Sequence, residues 1–215
     1  MSLDALLQRA DLWRGNAPAP HGQHVISTGR AELNELLDGW PQGALTEILV
    51  NHQGIGELAL LMPALARLTR EDRWLVFVAP PHIPYAPALA QHGVELARVL
   101  VVKPQRPADT LWALEQALRA GCCGAVLAWP TRADFTALRR LQLAAEAGDA
   151  MGVLYRTEEL AQQSSPAALR VQLASVGGDL EVRVLKQRGG MRTKALRLKQ
   201  GVAQKRKACH VAGAT

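Results

Sequence analysis

The chain has 215 residues, 48% of them hydrophobic and 20% charged, with a formal net charge of +6. That length suits one α/β domain with a sizeable core. It holds no run of about 18 apolar residues to span a bilayer, and its start, "MSLDALLQRADLWRG", lacks the basic-then-apolar pattern of an export signal, so a cytoplasmic location is expected. The cysteines are Cys122, Cys123 and Cys209, two of them adjacent, which suits neither a disulfide framework nor a zinc site, so reduced thiols are expected. Residues 182 to 215 contain ten basic residues and no acid, so the rest of the chain is net negative. Such a block fits either a polyanionic partner or a solvated face.

In chain order, Leu3, Leu6, Leu7 and Ala10 share one face of a short amphipathic helix. That face could serve a partner or fold back on the core. His21 and His24 have no carboxylate or Cys at ligand spacing, and no metal site is expected. A strand at 45 to 49 runs into a Gly-containing turn, Gly54 and Gly56. A helix is predicted directly behind it, with Leu58, Leu61, Met62, Leu65 and Leu68 on one stripe. This is the geometry of a phosphate-binding loop.

"RWLVFVAPP" predicts a buried strand stopped by prolines, and "YAPALAQHG" a short helix ending at Gly93. "ARVLVVKP" is a third strand. "PADTLWALEQALRAG" is a helix with Asp109 as N-cap and Leu111, Leu114 and Leu118 on one side. "CGAVLAWP" predicts a strand, "TRADFTALRRLQLAAEAG" a helix with Phe135, Leu138, Leu141 and Ala145 in register, and "DAMGVLYR" a fifth strand. Repeated strand–helix–strand units predict a mainly parallel sheet covered on both faces. After a polar loop at 157 to 168, "LRVQLASV", "LEVRVLKQ" and "TKALRLKQ" read as antiparallel strands turning at Gly177-Gly178 and Gly189-Gly190. The expected organisation is an N-terminal helix and linker (1–23), one core domain (24–200) and a basic tail (201–215).

The stretch "ISTGRAELNELLDGWPQGALTEI" resembles the opening segment of RecA-type recombinases. The matching residues are Ile26, Ser27, Thr28, Gly29, Leu33, Asn34 (in place of Asp), Gly39, Pro41, Gly43, Glu47 and Ile48. The late strands resemble the closing hairpin of the same fold. The resemblance implies an α/β, RecA-like core with a C-terminal antiparallel hairpin and a degenerate phosphate loop. Glu57 and Leu58 stand where the Lys and Thr of a nucleotide-binding loop belong. Trp129-Pro130 replaces the metal-binding Asp and the following Ser, and Pro80-Pro81-His82 replaces the catalytic Glu. No ATPase activity and no cofactor are expected. Trp129 is expected to fill the vacated pocket.

A RecA-like core of this length without ATPase residues resembles the ImuA family. That resemblance implies a non-catalytic accessory role in SOS-induced translesion DNA synthesis and mutagenesis. The implied partners are ImuB, an error-prone C-family polymerase, RecA and DNA. The segment "ALRAGCCGAVLAW…LRRLQLAAEAGDAMGVLYR" also resembles the cell-division inhibitor SulA, which binds the tubulin-like protein FtsZ. SulA-type chains are expected to lack the full opening segment and the long basic hairpin, so ImuA is taken as the better match and SulA as the alternative. DNA contact is expected through Lys186, Arg188, Arg192, Lys194, Arg197 and Lys199 rather than through the loops at 131–134 and 157–168, and partner contact through Leu3, Leu6, Leu7 and Ala10.

Overall fold

The computed structural model describes residues 24–187 and 194–199. The expected N-terminal helix, the tip of the closing hairpin and the basic tail lie outside the described residues.

Strand β1 (Val25–Ile26) pairs antiparallel with β2 (Trp40–Pro41) around helix α1 (Ala31–Leu37). Asn34 pins this segment: its Oδ1 accepts from the Thr28 N–H at 2.9 Å, and its Nδ2 donates to the Ser27 hydroxyl at 3.2 Å. Gly29 has φ +75°, and a Cβ there would come within 2.3 Å of the Pro63 Cβ, so only glycine fits the junction.

Strand β3 (Ala44–Val50) is buried along its whole length, as expected of a central strand covered on both faces. The chain continues through helix α2 (Met62–Arg70), strand β4 (Trp74–Val78), helix α3 (Ala86–Gln91), strand β5 (Val99–Val102), helix α4 (Pro107–Arg119) and strand β6 (Cys123–Ala128). Helix α5 (Phe135–Gly148), strand β7 (Met151–Thr157), strand β8 (Leu169–Val176), strand β9 (Asp179–Gln187) and strand β10 (Ala195–Leu198) complete it.

The large sheet has the order β10-β9-β8-β3-β7-β6-β4-β5. Strands β3 to β8 pair in parallel, while β8–β9 and β9–β10 are antiparallel. The mainly parallel α/β fold with a closing antiparallel pair is therefore present. One face packs on α1, α2 and α3 through Leu33, Leu65, Leu68 and Leu89. The other packs on α4 and α5 through Leu114, Leu118, Leu138 and Leu141. Each such fully buried Leu contributes roughly 1.5–3 kcal/mol.

Three local expectations need correction. Helix α2 begins at Met62, not directly behind Gly56; residues 57 to 61 form turns, with the Leu61 N–H donating to the Leu58 carbonyl at 3.0 Å. Pro63 in its first turn has no N–H to donate and so marks the start. Asp109 is not the N-cap of α4. Arg106 holds that position, and Asp109 sits in the first turn, paired with Arg106 at 3.0 Å. Phe135 is half exposed at the start of α5 rather than packed in register with Leu138 and Leu141, because Asp134 caps the helix and places Phe135 in the first, outward turn.

Candidate functional site

The carboxyl ends of β3, β6 and β7 open into a cleft of about 430 Å³. In parallel sheets, the region beyond the strand C-termini is where ligand sites collect, because the connecting loops converge there. Its walls come from the loop after β3 (Asn51, His52, Gln53 and Glu57), from Trp129 to Thr131 after β6, and from Tyr155, Arg156, Thr157 and Leu160 at the end of β7.

The loop after β3 has the glycine conformations of a phosphate cradle, with φ +84° at Gly54 and +98° at Gly56. Its donor is already taken. The Glu57 carboxylate turns back and accepts the Gly54 N–H at 3.0 Å. A backbone amide that could meet an anion is thus bonded to an internal one, and the same charge repels phosphate. Because α2 begins five residues farther on, its N-terminus does not reinforce the loop. Leu58 packs half-buried against the core, on the side of the sheet that carries α2. Glu57 and Leu58 therefore fill the loop from within.

Trp129 lies over Tyr155, ring centroids 4.6 Å apart and planes 11° from parallel, and stacks more loosely on Phe77 at 6.3 Å. Trp129 and Tyr155 line the cleft, with Phe77 stacked behind them. Tyr155 is 4% exposed and lines the cleft, yet its Oη has no hydrogen-bond partner among the described residues, and neither does the buried Oε2 of Glu57. Burial, then the charge of Glu57, push the Tyr155 phenol well above its usual range, so it remains a neutral hydroxyl.

Beneath the cleft lies an ion triad that sequence reading missed. Glu47, fully buried in β3, accepts from Arg156 Nη1 and from Arg170 Nε, each at 2.6 Å. Arg156 also donates to the Ala133 carbonyl at 2.9 Å, and Arg170 to the carbonyls of Leu160, Ala161 and Gln163 at 2.9 to 3.2 Å. One carboxylate and two guanidiniums thus tie the loops after β6 and β7 to the central strand. A single charged residue, Glu47, inside the otherwise uncharged and largely apolar run "ALTEILV" was the available signal, since a buried carboxylate demands cationic partners.

Of the cations expected to meet DNA, Lys186 donates to the Ser165 carbonyl at 2.7 Å. Arg197 faces Glu181 at 3.4 Å, a carboxylate shared with Arg183. Lys194 and Lys199 are exposed, and Arg188 and Arg192 lie outside the described residues, as do Leu3, Leu6, Leu7 and Ala10. Cys123 is buried, and its thiol is pushed up to about 12 by burial and then by Cys122, which marks it as unreactive; Cys122 is exposed. Among the described residues no cluster of His, Cys, Asp and Glu is placed to hold a metal, and no helix is long and apolar enough to cross a membrane.

A family model described as "Cell division inhibitor SulA" matches residues 43–152, just over half of the chain. Cell division inhibitor SulA of Serratia proteamaculans (strain 568) is 30% identical over 145 residues, which is 66% of this chain and 83% of that protein. That of Edwardsiella piscicida is 35% identical over 116 residues, covering 52% and 68% respectively. A crystal structure of SulA from Pseudomonas aeruginosa, 29% identical, covers 52% of this chain and 97% of that one with a TM-score of 0.44. The family model and the curated relatives overturn the expected ImuA membership. The translesion role, with ImuB, a C-family polymerase, RecA and DNA as partners, falls with it. The opening segment and basic hairpin that favoured ImuA lie mostly outside residues 43–152, where the family model matches. The chain belongs to the SulA family of cell division inhibitors, a family of non-enzymatic proteins.

Proposed function

We propose that the chain inhibits cell division in the cytoplasm during the SOS response by binding the tubulin-like division protein FtsZ. The observation that carries this reading is the family match across residues 43–152. The Glu57 carboxylate on the Gly54 amide adds support, since it leaves the cleft to recognition rather than nucleotide chemistry. The test is a polymerisation assay. Added to purified FtsZ, the chain is expected to lower both pelletable polymer and GTPase rate in a saturable, near-stoichiometric way, and its expression in bacteria to produce filaments. Unchanged polymer and septation at excess inhibitor would refute the reading. The same assay reads two proposed auxiliary contacts. A chain lacking residues 1 to 15 tests Leu3, Leu6, Leu7 and Ala10; Lys194→Ala/Arg197→Ala/Lys199→Ala tests the hairpin cations as a charged contact to the partner.

We further propose that residues 24 to 200 form a RecA-like unit whose phosphate loop is degenerate. The parallel strand set and the paired positive-φ glycines support this. Calorimetric titration with Mg-ATP is then expected to give no saturable heat at millimolar nucleotide. Glu57→Lys/Leu58→Thr should release no phosphate above background, because Trp129 and Pro80-Pro81 still stand where a metal ligand and a catalytic carboxylate are required. Micromolar ATP binding by the unaltered chain would sink the degenerate-loop reading.

A further inference from the structure

We infer that the open edge of strand β5 is a self-association surface, on which a second copy of this chain pairs antiparallel through its own β5 about a twofold axis at Leu100. Strand β5 (Val99–Val102) ends the large sheet, and among the described residues no strand covers its outer side. Its one neighbour fixes where its main chain points. The Val102 carbonyl accepts from the Ala79 N–H at 2.9 Å, and β4 and β5 run parallel with Val78 beside Val102. Main-chain groups alternate sides along a strand, so Leu100 and Val102 bond to β4 while the N–H and C=O of Val99 and Val101 point outward. Both faces of the edge are open as well, with Leu100 49% exposed and Val101 36%. Natural sheets guard such an edge with charges, proline or a bulge. This strand reads Val-Leu-Val-Val and pairs regularly with β4. Arg98, just ahead of it, is drawn back by Asp72 and lies over the Trp74 ring at 5.5 Å.

The edge is complementary to itself. Only a register that sets outward groups against outward groups forms bonds; a slip of one residue sets Val101 against Leu100, whose groups are already used. With Leu100 opposite the second copy's Leu100, Val99 and Val101 of each copy bond to Val101 and Val99 of the other. Val102 packs on the side of the sheet that carries α4, and Leu100, two residues earlier, shares that face. The two Leu100 side chains therefore meet there as a non-hydrogen-bonded pair, their Cα atoms about 4.5 Å apart. On the opposite face Val101 covers the other copy's Val99. Charge agrees with the antiparallel sense. Glu95, fixed ahead of the strand by the bond from its N–H to the Thr69 hydroxyl at 3.1 Å, and Lys103, just after it, are both exposed. Antiparallel pairing brings each Lys103 to the end where the other copy's Glu95 stands. Arg98 falls opposite Val102 rather than Lys103, so no two cations are directly opposed. Pro104 has no N–H and closes the strand. A strand of 4 residues buries less than an ordinary stable interface, so the dimer is expected to be weak, with a dissociation constant on the order of 10–100 µM.

The experiment follows the mass of the full chain by sedimentation equilibrium at concentrations below and above that value. A reversible monomer–dimer equilibrium is expected. Leu100→Lys places like charges at the twofold axis, and Val101→Pro removes an outward N–H while leaving the bonds to β4 in place. Each should weaken the dimer roughly tenfold or more. Melting temperatures show whether the variants are folded; if Val101→Pro is not, Leu100→Lys decides. The register is read in a Cys122→Ser/Cys209→Ser chain carrying one added cysteine. Leu100→Cys should give a covalent dimer on mild oxidation with diamide, because the Cα separation at the axis suits a disulfide. Val101→Cys, offset from its own copy along the strands, should cross-link roughly tenfold more slowly. A mass that stays monomeric, dimerisation undiminished in folded Leu100→Lys, or equal cross-linking at both positions would overturn the inference. So would a monomeric chain whose inhibition of FtsZ is lost in Leu100→Lys, since the edge would then serve the other protein. The mass and cross-linking measurements use this chain alone, so they decide the dimer whether or not the division reading holds.

Discussion

Glu47→Ala is expected to destabilise the protein by about 3–5 kcal/mol, the usual loss when one partner of a buried ion pair is removed. For a chain of this size that lowers the melting temperature by on the order of 10 °C. The reason is the arrangement around β3. Glu47 is fully buried and answers two guanidiniums, Arg156 and Arg170, at 2.6 Å each. Their side chains are 6% and 7% exposed, so removing the carboxylate strands two positive charges with little water to receive them. Urea unfolding measures the effect, as a lowered midpoint with an unchanged slope. A loss under 1 kcal/mol would show that the charges relax into solvent and that the triad holds nothing.

Replacing all three charges with apolar residues of similar size separates the two roles of the triad. Stability in such swaps often returns to that of the parent or above it. The loop after β7 would not recover, because it loses the bonds that Arg170 donates to the carbonyls of Leu160, Ala161 and Gln163. Faster proteolysis within residues 157–168 at restored overall stability is the expected signature, and with it a looser cleft wall at Leu160.

Elements whose identity depends on local pattern were legible in the residues themselves. The strands after 73 and 123, the helices over Leu114 and Leu138, and the Gly177-Gly178 hairpin follow from periodicity and turn chemistry over a few residues. The triad was not legible in the same way. Its members pair across 109 and 123 residues, and no spacing rule joins them until the sheet places β7 and β8 on either side of β3. The bond from Glu57 to Gly54 is a different kind of miss. It spans three residues and needed only the thought that a carboxylate in a donor-rich loop will turn inward before it repels anything outside. Phe135 went astray because apolar periodicity does not say where a helix begins, and the Asp134 cap settles that. Family assignment failed for a related reason. Weight was placed on the opening segment and the basic hairpin, whereas the core between 43 and 152 carries the family.

Gly148→Ala is expected to cost at least the upper part of the 1–3 kcal/mol range typical of overpacking, about 3 kcal/mol. A Cβ at Gly148 would sit 2.0 Å from the Leu118 carbonyl oxygen and 3.0 Å from the carbonyl carbons of Leu118 and Arg119. All three are backbone atoms at the end of α4 and cannot rotate away. The two helices must therefore separate or slide. Gly152 offers the comparison: its added Cβ would meet Leu45 Cδ2 at 2.5 Å and Leu118 Cδ2 at 3.1 Å, the far ends of flexible side chains. Gly152→Ala should lose less. Sliding the end of α5 also disturbs the approach to β3, since the Leu45 N–H donates to Gln142 Oε1 at 3.0 Å and Gln42 Nε2 to Asp149 Oδ2 at 2.6 Å. Those bonds lie at the start of β3, and the cleft lies beyond its other end. Gly148→Ala should thus lower the urea midpoint well below that of Gly152→Ala while leaving the proposed FtsZ inhibition per folded molecule unchanged. Equal midpoints for the two variants would mean that α4 and α5 yield at their contact as readily as a leucine turns.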